Sequence, residues 1–282
     1  MTFSILQSVY RRDNPEFLAQ ALKSIADNTL QPEAVILVKD GPLTQGLEDV
    51  ISEWQGKLPL KVVSYEQNQG LAHALNYGLQ FVETTLVARM DSDDICFPNR
   101  FEKELEFFEK NPEAEIVGAG ISEFYLSKDG NEFRKNRFYT AQTSKRSKSL
   151  FKGTPLGHPT VMIKTDLLKE FMYSENTNMN EDIDLWFRLL KDDHTIYNIQ
   201  EPLLNFRITD GTFKRRSIKK AFSEFRIYWN NLIELFGISP LLIYPLARLF
   251  VRFLPYRLNK KLYFSNARRS LFENKHKAGE NV

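Results

Sequence analysis

The sequence predicts an α/β fold: a mostly parallel central sheet flanked by helices on both faces, with a helical region at the C-terminal end. Three observations lead there. From Phe3 to Met90, short apolar runs alternate with amphipathic helical stretches in the order β-α-β-α-β-α-β. That order requires crossover connections and therefore parallel strands. The run Ala34-Val-Ile-Leu-Val38 is apolar throughout, as a strand covered on both faces must be. Finally, the second, third and fourth apolar runs are each followed by a polar or acidic point: Asp40, Asn68, and Asp91 with Asp93 and Asp94. Parallel strands share a direction, so these points fall along one sheet edge, where open α/β sheets bind ligands.

The elements follow in order. Phe3 to Tyr10 reads as a strand. Pro15 opens a helix with Phe17, Leu18, Ala21, Leu22 and Ile25 at helical spacing. After the second strand, Lys39-Asp-Gly-Pro42 is a turn, and Leu47 to Trp54 a short helix. Leu60 to Tyr65 is the third strand. Asn68-Gln-Gly70 breaks the chain before an amphipathic helix over Leu71 to Val82. Asn99 to Lys110 is a helix stopped by Asn111-Pro112, and Glu115 to Ile121 a glycine-bearing strand. Glu123 to Ser149 reads as polar and irregular, with a hairpin turn at Lys128-Asp-Gly-Asn131. Thr160 to Ile163 is a strand, Leu167 to Phe171 a short helix, Glu181 to Lys191 a longer helix, and Tyr197 to Arg207 extended.

The chemistry concentrates at Thr85-Leu-Val-Ala-Arg-Met-Asp-Ser-Asp-Asp94. The apolar run is short enough for a strand and too short for a helix. It delivers three carboxylates to one place, where like charges repel and raise one another's pKa. A hard divalent cation, Mg²⁺ or Mn²⁺, removes that cost. The alternative is a helix cap before Pro98, which accounts for one acid and not three.

Composition sets limits. Cys96 is the sole cysteine, which excludes an intrachain disulfide and suits a reducing compartment. Met1-Thr-Phe-Ser-Ile has no basic segment of the secretory type, and no stretch of about 18 uncharged apolar residues is present to span a membrane. The net charge of +2 conceals an asymmetry: Phe213 to Val282 carries 15 bases and 4 acids, a net of +11, which leaves −9 for Met1 to Thr212. A basic end on an acidic body predicts a partner surface of negative charge. Nucleic acid is not that partner, because its phosphates would be repelled by the body.

Taken together, Ser8-Val-Tyr-Arg-Arg-Asp-Asn-Pro-Glu-Phe-Leu18, Val38-Lys-Asp-Gly-Pro42, Asn68-Gln-Gly-Leu-Ala-His-Ala-Leu-Asn-Tyr-Gly-Leu79, Arg89-Met-Asp-Ser-Asp-Asp94, Gly157-His-Pro-Thr-Val-Met162 and Asn180-Glu-Asp-Ile-Asp-Leu-Trp-Phe-Arg-Leu189 resemble the family 2 glycosyltransferases of the GT-A fold. The pieces lie in the family's order. Within it, the chain looks most like bacterial enzymes that add a hexose to a lipid-linked oligosaccharide for O-antigen or exopolysaccharide. The resemblance implies a catalytic domain over residues 1–212, with a nucleotide-sugar half to about residue 115 and an acceptor half from 116. It also implies site roles. Asp40 would contact the uracil of a UDP-hexose, with Tyr10 and Asn68 beside it. Asp91 would approach the ribose or diphosphate, and Asp93 with Asp91 would hold the metal. Asp94 would support the metal or meet the sugar, and Arg207 the diphosphate. Asp182 would be the general base, with Glu181 as its rival.

Departures from the family pattern are specific. Lys39 and Pro42 replace the usual outer residues around Asp40, and Thr209 stands where the family often has histidine. The Gln-x-x-Arg-Trp signature of processive synthases is missing from Leu190-Lys-Asp-Asp-His194, which implies addition of a single sugar. A sugar-nucleotide pyrophosphorylase would need a glycine-rich loop after the first strand, yet residues 8–22 hold no glycine. A non-catalytic nucleotide-sugar-binding scaffold docked on a membrane is the other alternative. His158 before Pro159 is either a sugar contact or a satisfied structural imidazole, and Trp186 either a core residue or part of the acceptor site's lining.

Residues 213–282 read as a basic amphipathic helical region. Ala221, Phe222, Phe225, Trp229, Leu232 and Ile233 share one side of a helix over 217–236. Pro240 to Tyr256 is apolar, broken by prolines, and holds Arg248 and Arg252 four apart on one helical face. This pattern predicts a helix lying in the headgroup plane, with Arg257, Lys260, Lys261, Arg268 and Arg269 towards anionic lipid. The alternative is a packed appendage or a dimer interface. The whole predicts a cytoplasmic protein, peripheral at the inner face of a bacterial inner membrane, with a UDP-hexose donor and a lipid-diphosphate-linked sugar acceptor.

Overall fold

A computed structural model of the chain describes residues 1–126, 132–177, 180–209 and 218–253. It begins with the expected alternation: β1 (Phe3–Val9), α1 (Pro15–Ala26), β2 (Ala34–Asp40), α2 (Gln45–Trp54), β3 (Leu60–Tyr65), α3 (Leu71–Leu79) and β4 (Leu86–Met90). Then come β5 (Ile95–Cys96), α4 (Arg100–Lys110), β6 (Ile116–Leu126), β7 (Glu132–Arg137), β8 (Gln142–Thr143), β9 (Met162–Lys164), α5 (Thr165–Phe171), α6 (Glu181–Lys191) and β10 (Ile196–Arg207). Two further helices, α7 (Ile218–Phe236) and α8 (Ile243–Arg252), follow. No helix among the described residues is long and apolar enough to cross a membrane.

Among the described residues, ten strands form one sheet in the order β3-β2-β1-β4-β9-β6-β10-β5, with β7 on β6 and β8 on β10. β3, β2, β1 and β4 are parallel, as the crossovers require. Beyond β4 the sheet is mixed rather than mostly parallel, because β9 runs antiparallel to both β4 and β6. Along β1 and β2, alternate residues enter opposite cores: Leu6, Ile36 and Val38 share one with α3 and α6, while Ile5, Val35 and Leu37 share the other with α1, α2 and α4. Two covered faces explain why Ala34 to Val38 carries no polar alternation.

Two local expectations are corrected. Glu123 to Ser149 is not irregular: β6 continues to Leu126, and β7 returns beside it in antiparallel register from Ile121↔Arg137 to Leu126↔Glu132. The signal is hidden because Glu132-Phe-Arg-Lys-Asn-Arg137 alternates between exposed and half-buried positions and lacks a fully apolar face. The turn residues Lys128 to Asn131 lie outside the described residues. β5 was unforeseen. Only two residues long, it pairs with Leu204 and Asn205 of β10 and draws the segment after Asp94 across the sheet.

α7 belongs to the core rather than standing off it. Tyr228 and Leu232 are buried with Trp186, Phe187 and Leu190 of α6. The polar side of α8 is turned into the protein: Arg248 and Arg252 both pair with Glu224 of α7. The helical face that carries Arg248 and Arg252 thus packs inward, where a carboxylate that is 5% exposed draws the guanidiniums. Ile243, Leu246, Phe250 and Phe253 are exposed instead. Arg257 to Arg269 lie outside the described residues, as does the expected boundary at residue 212.

Candidate active site

The carboxyl ends of β1, β2, β3 and β4 carry the predicted points along one edge of the sheet. At β2, Asp40 is buried and fully engaged. Its Oδ1 accepts from Tyr65 Oη at 2.9 Å and Gln69 N at 2.7 Å; its Oδ2 accepts from Asn68 Nδ2 at 2.7 Å and Gly70 N at 3.1 Å. Asp40 and Asn68 are thus brought together, and their mutual contact shapes the loop that starts α3. Gly41 has φ +78°, and a Cβ there would lie 2.6 Å from Asn68 N, so the turn requires glycine. At β1, the Tyr10 N–H donates to Asp13 Oδ2 at 3.2 Å, and its carbonyl accepts from Asp13 N at 2.9 Å. The same Asp13 carboxylate accepts from Ser92 Oγ at 2.8 Å, which ties this turn to the acidic one.

At β4 the three carboxylates of Asp91, Asp93 and Asp94 each offer an oxygen within 4.8 Å of the others. Asp94 is wholly buried, with Oδ1 accepting from Arg207 N at 2.8 Å and no hydrogen-bond partner at Oδ2. Burial, with the charges of Asp91 and Asp93, pushes its carboxyl well above the ordinary range. A crowded, all-oxygen set with an orphaned buried oxygen fits a hard divalent cation.

Arg207 does not reach into the cavity as a diphosphate ligand would. Its Nε donates to the Asp93 carbonyl at 2.7 Å, one Nη donates to Gln20 Oε1 at 2.6 Å, and its plane lies between the rings of Phe17 and Phe124. It holds the acidic turn in place. Reasoning from sequence missed Arg89, which pairs with Asp91 and is 4% exposed. The signal was present: an arginine inside the apolar strand Leu86-Val-Ala-Arg-Met90 needs a buried partner.

A cavity of about 490 Å³ opens beside the triad. Arg89 and Asp91 line it, and so do Glu181 and Asp182 from the start of α6. Tyr10, Asp40, Asn68, Asp93, Asp94 and Arg207 flank or support the edge without lining it. Asp182 is half-buried. Burial raises its carboxyl above the ordinary value, against the pull of the Ile183 N–H, Lys220 and Arg89. Glu181 is raised for the same first reason, with the Asp182 charge second. His158 also lines the cavity; its Nε2 is 3.0 Å from Tyr173 Oη, and burial next to Arg89 keeps the ring neutral. Trp186 is a core residue, 1% exposed. The arrangement brings Asp91 of the acidic turn and the carboxylates of Glu181 and Asp182 to one cavity.

Residues 4–171 match the family model described as "Glycosyl transferase family 2". The "UDP-Gal:alpha-D-GlcNAc-diphosphoundecaprenol beta-1,3-galactosyltransferase" of Escherichia coli is 35% identical over 274 residues, covering 95% of this chain and 98% of that protein. The "Amylovoran biosynthesis glycosyltransferase AmsE" of Erwinia amylovora is 34% identical over 266 residues, covering 93% and 97%. Among solved structures, S. aureus TarS 1-349 in complex with UDP-GlcNAc superposes with a TM-score of 0.67 at 17% identity, covering 96% of this chain and 78% of that one. That likeness shows the fold, an α/β sheet of the GT-A type. With a family model spanning more than half of its length and two full-length relatives above 30% identity, the chain belongs to glycosyl transferase family 2.

Proposed function

We propose that this protein transfers a single hexose, glucose or galactose, from a UDP-sugar to a lipid-diphosphate-linked glycan during bacterial surface polysaccharide synthesis, inverting the anomeric centre. The observation that carries the reading is the convergence of Asp91 and Asp182 on one cavity, next to a turn of three carboxylates. The E. coli relative, by its name, acts on a diphosphoundecaprenol-linked sugar, which supports the acceptor class.

In this reading Asp93 and Asp91 hold Mn²⁺ or Mg²⁺, with Asp94 beside them. When bound, such an ion neutralises charge developing on the departing diphosphate. Asp40, Asn68 and the Tyr10 turn form the uridine end. Asp40 acts there by fixing the backbone of Asn68 to Gly70, since its own oxygens are engaged within the loop. Asp182 takes the proton of the acceptor hydroxyl while that oxygen bonds the anomeric carbon from the face opposite the leaving phosphate oxygen. UDP departs with the electron pair of the broken bond.

Thermal stability across UDP, UDP-glucose, UDP-galactose, UDP-GlcNAc and GDP-mannose, each with Mn²⁺ or with EDTA, tests the donor half. Binding only the native state raises stability in proportion to affinity and concentration. A Mn²⁺-dependent shift with a UDP-hexose is expected, and Asp93→Ala should remove it; a shift indifferent to both Mn²⁺ and Asp93→Ala would refute the metal assignment.

The exposed apolar side of α8 supports peripheral placement at the inner face of the membrane. Phe250 is 72% exposed and Ile243 61%, on a helix whose arginines turn inward to Glu224. Sedimentation with phosphatidylglycerol vesicles should carry the protein down, and Phe250→Asp should weaken that binding severalfold. Equal sedimentation of both proteins would remove α8 from the membrane-facing surface.

A further inference from the structure

The cavity has a second chemistry that the donor and the base do not use. Where α7 and α8 close it, its lining is cationic: Lys152, Lys220, Arg248 and Arg252. Arg248 and Arg252 lie one helical turn apart on α8, and each donates to a different oxygen of Glu224. Burial would push that carboxyl up, but the two guanidiniums hold it below its ordinary value. One carboxylate set against two guanidiniums leaves positive charge over; Lys220, a turn before Glu224 on α7, lines the same wall.

The wall is also built. Arg248 stands over the Tyr228 ring at 4.7 Å, and Tyr228 is 2% exposed. On the other side is Gly153, where a Cβ would come within 3.4 Å of Arg248 Nη1. The guanidinium thus lies between an aromatic face and a bare backbone, bonded to Glu224, and it lines the cavity. Gathering cations at one wall is unfavourable unless an anion meets them, and guanidinium forks suit phosphate oxygens. The chain-wide charge pattern then acquires a reason. A dianionic acceptor would be repelled by a body of net −9, and three bases of the C-terminal region, Lys220, Arg248 and Arg252, line the cavity itself.

We infer that the wall formed by Lys152, Lys220, Arg248 and Arg252 is the subsite for the diphosphate of the acceptor, holding that group so that the sugar hydroxyl beyond it reaches Asp182. The inference rests on the acceptor reading above and assigns it residues. It also gives α8 two faces, one with arginines on the diphosphate and one with apolar side chains on the side where the lipid tail leaves.

The test is calorimetric titration of a hexosamine diphosphate bearing a short alkyl chain into the full-length protein, saturated with UDP and Mn²⁺ so that the donor's diphosphate position is filled. Wild type should bind it, and bind the same hexosamine on a neutral alkyl linker about tenfold or more weakly. Arg252→Gln and Lys152→Gln should each lose most of that preference while their thermal shift with UDP and Mn²⁺ stays at the wild-type value; Lys57→Gln, on a distant surface, should leave it intact. Lys152 does not touch Glu224 among the described contacts, so its variant reports on the wall even if Arg252→Gln disturbs α7. Equal binding of the charged and neutral ligands by wild type would overturn the subsite, as would unchanged preference in both variants. A preference for phosphatidylglycerol vesicles over the alkyl diphosphate, lost in Arg252→Gln, would assign the wall to lipid headgroups and overturn it too. If the diphosphate binds through this wall but no UDP-sugar is turned over, the transfer reading fails while the subsite stands.

Discussion

Asp182→Asn should abolish sugar transfer, lowering kcat by about 10²–10⁴, with the fold and the UDP thermal shift unchanged. Asparagine keeps the shape and the oxygen that accepts from the Ile183 N–H but cannot take a proton. The same substitution at Glu181, the neighbour whose side chain is 5% exposed, should cost far less if Glu181 only opens α6. The pH profile gives an independent reading. Asp182 must be ionised to act, and burial raises its carboxyl above the ordinary range. The acid limb of kcat/KM should therefore fall away at a pH above the ordinary carboxylate range near 4, and activity should be fullest on the alkaline side of that limb. Full transfer by Asp182→Asn, measured by release of UDP, would reject Asp182 as the base.

The second large effect is on stability. Arg100 and Glu104 are both wholly buried in α4 and pair at 3.0 Å, and an Arg100 Nη donates to the Arg89 carbonyl at 2.9 Å. Burial raises the Glu104 carboxyl to about 7, against the opposing pull of Arg100. Arg100→Met would leave a carboxylate without its countercharge, one of whose oxygens, Oε2, already lacks a partner. The loss should be about 3–5 kcal/mol in chemical denaturation. Its pH dependence has a defined sign. The folded-state pKa of Glu104 lies above the unfolded value near 4.3, so the folded chain holds this proton more tightly, and Arg100→Met should raise the folded value further. Stability of the variant should fall as pH rises from the unfolded value through the folded one, and recover on acidification. Arg100→Met with Glu104→Leu should restore most of the loss, because a well-packed apolar pair replaces a buried ion pair at little cost. Equal stability of the single and double variants would show that the pair is not what holds α4 beneath β4.

The two effects bear on one strand. Arg100 grips the carbonyl of Arg89, Arg89 pairs with Asp91, and Gln7 Nε2 donates to the Asp91 carbonyl at 3.0 Å. The turn that would hold the cation is therefore fixed from beneath and from the side.

What could be read from the sequence is what neighbouring residues encode. Crossover order, the apolar strand Ala34 to Val38 and the helix Glu181 to Lys191 depend on periodicity and caps within a few residues, and the helix lies where expected. The acids after β2 and β4 fall on one edge because parallel strands share a direction, and family membership follows from the same ordered motifs. The tertiary structure decided which partner each charge meets. Asp94 receives the N–H of Arg207, 113 residues away, and Arg207 holds the acidic turn instead of entering the cavity. Arg248 and Arg252 turn inward because Glu224 lies 24 and 28 residues before them on a helix packed against α6. β9 lies between β4 and β6 and runs antiparallel to both, a pairing of segments far apart in the chain. Periodicity is a local property of a chain, whereas the neutralisation of a buried charge is settled only by what folding brings beside it.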